Sequence, residues 1–236
     1  MDKTKLTKFI DKYFLGGNVE SIKLEIKDNI LKTGFSTEDR TLIGKVMVKD
    51  FKFEDSEFGI FTTSELIKIL NALDSDITIG LNKIEENPVN LKIEDKTLKT
   101  IFVLSDPGII PTKSGAIKQL PEFDAEININ TEFISTYIKS FSAIQANNVA
   151  IKADKDNVTF IIGFSDINTN RISFSIPGTI KNIFSPLSFG SEYFKQILVA
   201  NKDCSAGKLF ISQQGLLRFQ FKEGDYTSEY FLVKLV

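Results

Sequence analysis

The chain has 236 residues, a formal net charge of −2 at pH 7 and a hydrophobic content of 42%. These values are ordinary for a globular protein, and the length suits one large domain or two domains of about 115 residues. The sequence contains no histidine and a single cysteine, Cys204. This composition excludes histidine-based nucleophiles, histidine-ligated zinc and a disulfide within the chain. The many β-branched residues and the 21 Phe predict a fold rich in sheet.

Membrane and enzyme signals are weak throughout the sequence. No apolar run approaches the ~18 residues that span a membrane, and the N-terminal MDKTKLTKF lacks the apolar region of a secretion signal. We therefore expect a cytoplasmic protein. No glycine-rich phosphate loop of the common patterns occurs. The pairs Asp74/Asp76 and Asp154/Asp156 precede β-type runs and are interpreted as turn residues, so we expect no catalysis, no metal and no cofactor.

Four amphipathic helices are predicted from apolar residues at helical spacing. They cover Thr4–Leu15, Thr62–Leu73, Asn130–Gln145 and Gly190–Asp203. Each helix is followed by a series of β-type runs, such as VESIKLEIKD after the first and VAIKADKD after the third. Each half of the chain therefore has the order helix, three strands, helix, three or more strands. This order predicts an α+β fold in which two helices per domain pack on antiparallel sheets.

A proline-rich segment separates the two halves. SDPGIIPTKSGAIKQLPEFD, from Ser105 to Asp124, contains three of the six prolines and no sustained periodicity. It is long for an ordinary loop, which favours a connector between domains. We therefore predict a first domain over residues 1–104, a connector over 105–125 and a second domain over 126–236.

Several phrases of the first half recur in the second half at nearly constant spacing. KDNILKTGFS begins at Lys27 and KDNVTFIIGFS begins at Lys155. TKFIDKY at Thr7 matches TEFISTY at Thr131, and the helix phrases SELIKIL and SEYFKQIL also match in order. Chance would not preserve both the order and the spacing of these matches. The sequence therefore predicts an internal duplication.

Lysine is concentrated on the helix faces opposite the apolar stripes, although the whole chain is slightly acidic. The lysines predicted on these faces are Lys5, Lys8, Lys12, Lys68, Lys139, Lys195 and Lys202. Positive faces on an acidic protein suit a polyanion, and lysine favours phosphate contacts that ignore base sequence. None of the three arginines lies on a predicted helix. The alternative is an ordinary solvated surface, since nearby acids such as Asp11 and Glu65 dilute the charge.

The length, helix order and connector resemble, along essentially the whole chain, the ring-shaped DNA polymerase sliding clamps, the group that includes PCNA. The stretches FTTSELIKILNALDSDITI and TIFVLSDPGIIP are most similar to the clamps of T-even-type phages. The resemblance implies three subunits joined head to tail, with edge strands paired between neighbours and twelve helices around duplex DNA. It also implies two partners, a DNA polymerase and a separate ATP-dependent clamp loader. Phage clamps of this type also serve late transcription.

The resemblance places a pocket for a polymerase peptide beside the connector. The matching positions are Ile109, Ile110, Pro111, Phe231, Leu232 and Val233. The alternative is that these apolar residues only pin the connector to the second domain. The third helix, with Lys139 as its one lysine, is less basic than the resemblance leads us to expect for a surface that faces DNA.

Two other functions remain possible from the sequence. A phage structural or assembly protein built from a duplicated β-rich domain would explain the repeat, but it gives no reason for the lysines on the helix faces. A carboxylate-based hydrolase would need two converging acids in a cleft, and no pattern in the sequence indicates them.

Overall fold

The structure is a computed structural model that describes residues 3–110, 119–167 and 169–235. The helices are α1 (Lys3–Phe14), α2 (Thr63–Ala72), α3 (Thr131–Ile144) and α4 (Ser191–Ala200). The strands of the first half are β1 (Ile22–Lys27), β2 (Ile30–Ser36), β3 (Leu42–Val48), β4 (Ser56–Ile60), β5 (Thr78–Ile84), β6 (Asn87–Glu94) and β7 (Lys99–Val103). Those of the second half are β8 (Ala125–Ile129), β9 (Asn148–Ala153), β10 (Asn157–Ile162), β11 (Ile172–Pro177), β12 (Thr179–Ile180), β13 (Phe184–Gly190), β14 (Gly207–Ser212), β15 (Leu216–Glu223) and β16 (Tyr226–Val233).

The chain folds into two compact units. The first comprises Met1–Ser36 and Lys45–Ser114, and the second comprises Thr37–Gly44 and Gly115–Val236. Residues 37–44 come early in the sequence but belong to the second unit, which the periodicity did not indicate. They are held there by hydrogen bonds, because Thr41 O accepts from Val233 N at 2.9 Å and Asp39 Oδ2 accepts from Tyr193 OH at 3.0 Å.

The first unit packs α1 and α2 on antiparallel strands. Its strands run in the order β3-β2-β1-β4 in one group and β5-β6-β7 in a second. The predicted stripe of α1 is buried, with Phe9, Ile10 and Tyr13 at 0% exposure. Side chains of β1 alternate between buried and half-exposed, the two-residue period of a strand with one face on a core.

The second unit repeats this arrangement. Its strands run in the order β11-β10-β9-β13 in one group and β12-β8-β14-β15-β16 in another. An aromatic cluster fills its core, with the rings of Tyr137 and Phe194 stacked at 4.5 Å and Phe194 edge-on to Phe219 at 4.9 Å. Such pairs stabilise a core beyond the area that they bury.

The two units share one topology, so the predicted α+β class and the duplication are confirmed. The strands β3, β2, β1 and β4 correspond in order to β11, β10, β9 and β13, and the strands β5, β6 and β7 correspond to β14, β15 and β16. The junction between helices is repeated as well. Tyr13 OH lies 3.3 Å from Thr63 Oγ1 in the first unit, and Tyr137 OH donates to Ser191 O at 3.2 Å in the second.

The recurring phrase KDN occupies equivalent turns in the two units. In the first unit, Asp28 and Asn29 adopt φ of 52° and 59° between β1 and β2, the left-handed conformation that short hairpins require. In the second unit, the Asp154 carboxylate accepts hydrogen bonds from the backbone N–H groups of Asp156 and Asn157. The Asp154/Asp156 pair therefore builds the turn between β9 and β10, which agrees with the turn interpretation.

Among the residues that the structure describes, no helix combines the length and the apolar character needed to cross a bilayer. The longest, α3, has 14 residues. It begins after Asn130, whose side chain accepts a hydrogen bond from Phe133 N, as expected of a helix N-cap.

A buried tyrosine makes the second unit less stable at alkaline pH. Burial raises the pKa of Tyr137 well above its ordinary value, and the charge of Glu192 adds to the shift. The folded protein therefore keeps a phenol proton that the unfolded chain releases above about pH 10, so the free energy of unfolding falls as the pH rises further. Below about pH 10 this contribution is fully present.

We expect Tyr137→Phe to lose about 1 kcal/mol of stability near neutral pH, because the hydrogen bond to Ser191 O is removed. Between about pH 10 and pH 12, the unfolding free energy of the variant should fall less steeply with pH than that of the parent chain. The two slopes should differ by up to about 1.4 kcal/mol per pH unit. Urea unfolding at several pH values measures both effects. Equal slopes for the two proteins would contradict the burial of an un-ionised Tyr137.

Candidate nucleic-acid interface and partner cleft

Three of the predicted lysines lie exposed on helices. These are Lys8 on α1, Lys68 on α2 and Lys139 on α3. Each shares its helix with an exposed acid, namely Asp11, Glu65 or Glu132. The exposed helix faces therefore carry charges of both signs, and their positive charge is more dilute than the sequence count of lysines indicated.

Lys5 lies at the edge of the exposed face of α1 and contacts the protein itself. Its Nζ donates a hydrogen bond to Asp50 O at 2.9 Å and lies 4.0 Å from Asp50 Oδ2, with 19% of the side chain exposed. A phosphate would have to compete with this carbonyl for the ammonium group. Lys5 is therefore a weaker candidate for DNA contact than its position on α1 indicated.

Lys195 on α4 is held by its own unit. Its Nζ lies 2.8 Å from Glu192 Oε1 and 4.6 Å from the centre of the Phe141 ring of α3. Burial alone would raise the pKa of Glu192, but hydrogen bonds from Lys195 and Gln196 outweigh it and hold this pKa below its ordinary value. The ammonium of Lys195 thus joins α3 to α4, and its positive charge is largely neutralised.

Two of the lysines predicted on exposed helix faces are placed differently by the structure. Lys12 is only 2% exposed, so its predicted position on the outer face of α1 is wrong. At about 100° per residue, Lys12 lies between Lys8 and Lys5 around α1, so its burial does not follow from the helical pattern. Lys202 is exposed, but α4 ends at Ala200, so Lys202 belongs to the following turn and not to the helix.

Three of the five predicted pocket residues that the structure describes are buried. Ile109 and Val233 are 65% and 41% exposed, whereas Ile110, Phe231 and Leu232 are between 0% and 5% exposed. Pro111 lies outside the described residues. Ile110, Phe231 and Leu232 are therefore covered by the protein's own fold. The partner-peptide pocket itself stays a prediction.

Ile110 is buried against a glycine of the first unit. A Cβ on Gly59 would lie 2.7 Å from Ile110 Cγ1 and 2.8 Å from Ser105 O, closer than real Cβ contacts. Gly59 therefore allows the beginning of the connector to pack against β4. In the alternative from the sequence, these apolar residues pin the connector to the second domain, whereas Ile110 packs on Gly59 of the first unit.

The second unit contains a cleft that the sequence analysis did not find. Its volume is about 320 Å³, and its walls are Pro121, Glu122, Phe123, Ala125, Glu126, Thr179, Lys181, Phe210 and Arg218. The rings of Phe123 and Phe210 lie 5.6 Å apart. The Arg218 guanidinium lies 5.6 Å from the Phe210 ring and pairs with Glu229 at 2.6 Å. The cleft therefore combines an aromatic floor with a fixed cation, a mixture typical of sites for a peptide side chain.

A sequence signal for this cleft was present in β15. The run LLRFQF alternates, so Arg218 stands on the face opposite to the buried Leu217 and Phe219. An outward-facing arginine on a strand indicates a binding surface more strongly than an apolar C-terminal strand does. The pairing of β14 with β15, which brings Phe210 opposite Arg218, could not be predicted from spacing alone.

Asp124 fixes the end of the connector beside the cleft. It is 3% exposed, and its carboxylate accepts hydrogen bonds from Gln213 N at 2.7 Å, Gln213 Nε2 at 3.2 Å and Asn182 Nδ2 at 2.7 Å. Its backbone O also accepts from Lys181 N at 2.7 Å. A buried carboxylate is tolerated because amide donors replace its water shell. Asp124 therefore positions both Phe123 and Lys181 at the cleft.

The segment of the Asp74/Asp76 pair is hydrogen-bonded to the carboxylate of Asp95. Backbone N–H groups of Asp74, Leu98 and Thr97 donate to Asp95 and hold the pKa of its carboxyl well below the ordinary value. The segment around the Asp74/Asp76 pair is thus tied into a turn. Within the described part of the chain, no group of three or more histidine, cysteine, aspartate or glutamate side chains is arranged to hold a metal ion.

Replacing Asp124 tests how strongly the connector is anchored. We expect Asp124→Ala to lower the free energy of unfolding by about 2–3 kcal/mol, because buried amide donors lose their acceptor. Limited proteolysis should also cut the connector faster. Glu122→Ala is the matched control, since Glu122 is exposed two residues away, and its stability should stay within about 0.5 kcal/mol of the parent chain. Equal stability of the two variants would show that Asp124 does not anchor the connector.

Comparison with known proteins gives a fold but no close relative. No protein-family model matches the chain. No curated protein matches it either. PCNA from Entamoeba histolytica superposes with a TM-score of 0.75 at 20% identity, over 100% of this chain and 96% of that chain.

Two further structures agree with this comparison. A structure of the C-terminal region of FEN-1 bound to A. fulgidus PCNA gives a TM-score of 0.75 at 16% identity, over 100% of this chain and 97% of that chain. A PCNA2–PCNA3 complex from Sulfolobus tokodaii gives 0.75 at 13% identity, over 99% and 97%. The chain therefore has a PCNA-like fold over its whole length.

Proposed function

We propose that this chain is a sliding clamp, a protein that closes as a ring around duplex DNA and tethers a DNA polymerase. The observation that carries the proposal is the PCNA-like fold along the entire chain, built from two units of one topology. The role is that of a scaffold without catalysis or cofactor. The similarity of FTTSELIKILNALDSDITI to T-even-type clamps favours viral DNA replication, with late transcription as a further role.

Unpaired strand edges support the assembly of copies into a ring. β7 of the first unit ends its sheet and exposes Ile101 and Val103, which are 64% and 74% exposed. β11 of the second unit also ends its sheet. Exposed apolar edges are rare in isolated proteins because they invite pairing with another chain.

The duplication indicates which edges pair. Within the second unit, β16 lies beside the segment that leads into β3, and Val233 N donates to Thr41 O at 2.9 Å. β7 corresponds to β16, and β11 corresponds to β3. Pairing of β7 with β11 of a second copy would therefore repeat, between two chains, the contact of β16 with the segment that leads into β3. The two edges belong to different units, so the contact is heterologous and closes as a ring if the rotation allows. The count of three subunits comes from the resemblance to clamps.

Contact with DNA would be loose and independent of base sequence. Lys8, Lys68 and Lys139 are exposed on three helices, and such lysines attract phosphates without reading base edges. The acidic residues beside them keep this attraction weak. Weak attraction suits a ring that slides, because retention then depends on encirclement and not on affinity.

We assign polymerase binding to the cleft of the second unit and to the exposed apolar residue Val233 of the same unit. Phe123, Phe210 and Arg218 offer a partner peptide an aromatic floor beside a cation. The structure of A. fulgidus PCNA with the C-terminal region of FEN-1 is a precedent for terminal peptides as ligands of this fold. Tethering raises the effective concentration of the polymerase at the primer end. Ring opening requires a separate ATP-dependent loader, since the sequence has no phosphate-binding loop.

A loading experiment tests encirclement. The chain is loaded by a clamp loader onto nicked circular DNA, separated from unbound protein and then exposed to a nuclease that cuts the circle once. We expect retention on the circle and release after cutting, unless both new ends are blocked by bound proteins. Retention that survives cutting with unblocked ends would contradict the proposal.

The exposed lysines give a second test with a charge-matched control. We expect the triple variant Lys8→Ala, Lys68→Ala and Lys139→Ala to load poorly and to lose about one unit of salt-dependence slope for each lysine that contacts phosphate. The control carries Lys27→Ala, Lys45→Ala and Lys152→Ala, three exposed strand lysines with the same total charge. Equal loading of the two variants would show that the helix faces do not contact DNA.

A further inference from the structure

The two units differ at one strand edge. In the second unit, β14 pairs with β15 on one side and with β8 on the other. The corresponding strand of the first unit, β5, pairs with β6, and no strand of the described residues pairs with its other edge. The first unit therefore lacks a counterpart of β8 at β5, although the strands around this position correspond.

The burial of side chains reflects this missing strand. Leu209 and Ile211, which face the core from β14, are 0% exposed. Ile79 and Leu81, which face the core from β5, are only half-buried. On the opposite face, a Cβ added to Gly80 would meet nothing within 4 Å. On the outer face of β5 there is thus open space at Gly80. On the core side, Ile79 and Leu81 have surface that an added strand would cover.

The core beneath β5 is also incompletely filled. A small apolar cavity of about 20 Å³ lies in the first unit, and its walls include Ile79, Leu91 and Leu6. A strand beside β5 would cover Ile79 and complete this apolar layer. In the second unit, Ala125, Ile127 and Ile129 of β8 supply such a layer and are at most 2% exposed.

We propose that the open edge of β5 binds an extended segment of a partner protein by strand addition. Backbone hydrogen bonds to residues 78–84 would provide affinity, and alternate side chains would provide specificity. The template for the occupant is β8, whose sequence Ala-Glu-Ile-Asn-Ile alternates small or aliphatic residues with polar ones. The partner segment therefore carries aliphatic residues at every second position, over Ile79 and Leu81, and polar residues between them.

This site differs from the surfaces assigned to the clamp role. β5 is neither of the edges assigned to ring closure, and the cleft for the polymerase lies in the second unit. The proposal rests on the repeat of the fold and on the burial of β5. It can therefore fail while the clamp function stands, and it can hold if the chain encircles no DNA.

The test uses a synthetic peptide with the sequence of residues 124–130, DAEININ, and the complete chain. Hydrogen exchange is measured with and without peptide. We expect slower exchange for backbone amides of residues 78–84, and little change in β7 or β11. A peptide of the same composition with the alternation broken is the control and should protect these amides much less. Absence of protection at peptide concentrations up to about 1 mM would overturn the proposal.

Backbone methylation separates strand addition from simple apolar binding. One peptide is N-methylated at alternate residues, and a second peptide is N-methylated at the intervening residues. Only one set of amides faces β5 in a strand, so we expect one peptide to bind at least about tenfold more weakly and the other to bind normally. Equal affinities of the two would contradict strand addition. The same exchange is measured without peptide at several protein concentrations. If protection of residues 78–84 rises with protein concentration, the edge binds a second copy of the chain. That result would overturn the assignment to a partner.

Discussion

Backbone hydrogen bonding at strand edges is the constraint on which the structure depends. Each unit has antiparallel strands covered by two helices, and among the described residues β7 and β11 end their sheets with N–H and C=O groups that face no further strand. In the second unit, β8 covers one edge and residues near Thr41 lie beside another. The first unit has no described equivalent of these neighbours at β5 and β7. The edges that remain define where other chains can pair.

The duplication indicates which strand edges pair in the proposed assembly. When one domain is used twice, a contact that stabilises one copy has an unsatisfied equivalent in the other. The exposed Ile101 and Val103 of β7 and the half-buried Ile79 and Leu81 of β5 are two such equivalents. The first pair is assigned to ring closure and the second to a partner strand. Both assignments follow from one comparison between units, and neither needs a catalytic group.

The helix surfaces are secondary to this arrangement. Their apolar stripes fill the core of each unit, and the junctions of Tyr13 with Thr63 and of Tyr137 with Ser191 fix the paired helices in the same way twice. The outward faces keep three exposed lysines among acids. In the proposed clamp, a surface of that kind would give weak, salt-sensitive attraction to DNA, which suits retention by encirclement.

The sequence predicted the helices, the fold class and the duplication because these depend on local periodicity. The start of α3 after Asn130 is one example, since the N-cap and the apolar stripe are both local signals. The exposure of single residues was predicted less well. Lys12 is buried, which the helical pattern does not indicate. Lys195 and Glu192 are three residues apart on one helix, but this spacing alone does not fix the side-chain conformation that pairs them.

The candidate partner site was the least predictable part. The pocket proposed from the resemblance combined residues that alternate between faces, so Leu232 points into the core while Val233 is exposed. The cleft instead depends on Phe210 lying opposite Arg218 across two strands and on Asp124 holding the connector end. Strand register and buried hydrogen-bond networks of this kind are long-range properties that residue spacing does not contain.

Cross-linking of the proposed ring edges would test the central claim most directly. A double variant carries Ile101→Cys on β7 and Ser175→Cys on β11, and mild oxidation forms disulfides only where the two strands approach within about 7 Å between Cα atoms. The account predicts covalent products that end at three chains under denaturing conditions, with no such product from either single variant. Products that extend as an open ladder beyond three chains, or the absence of any product in the double variant, would contradict it.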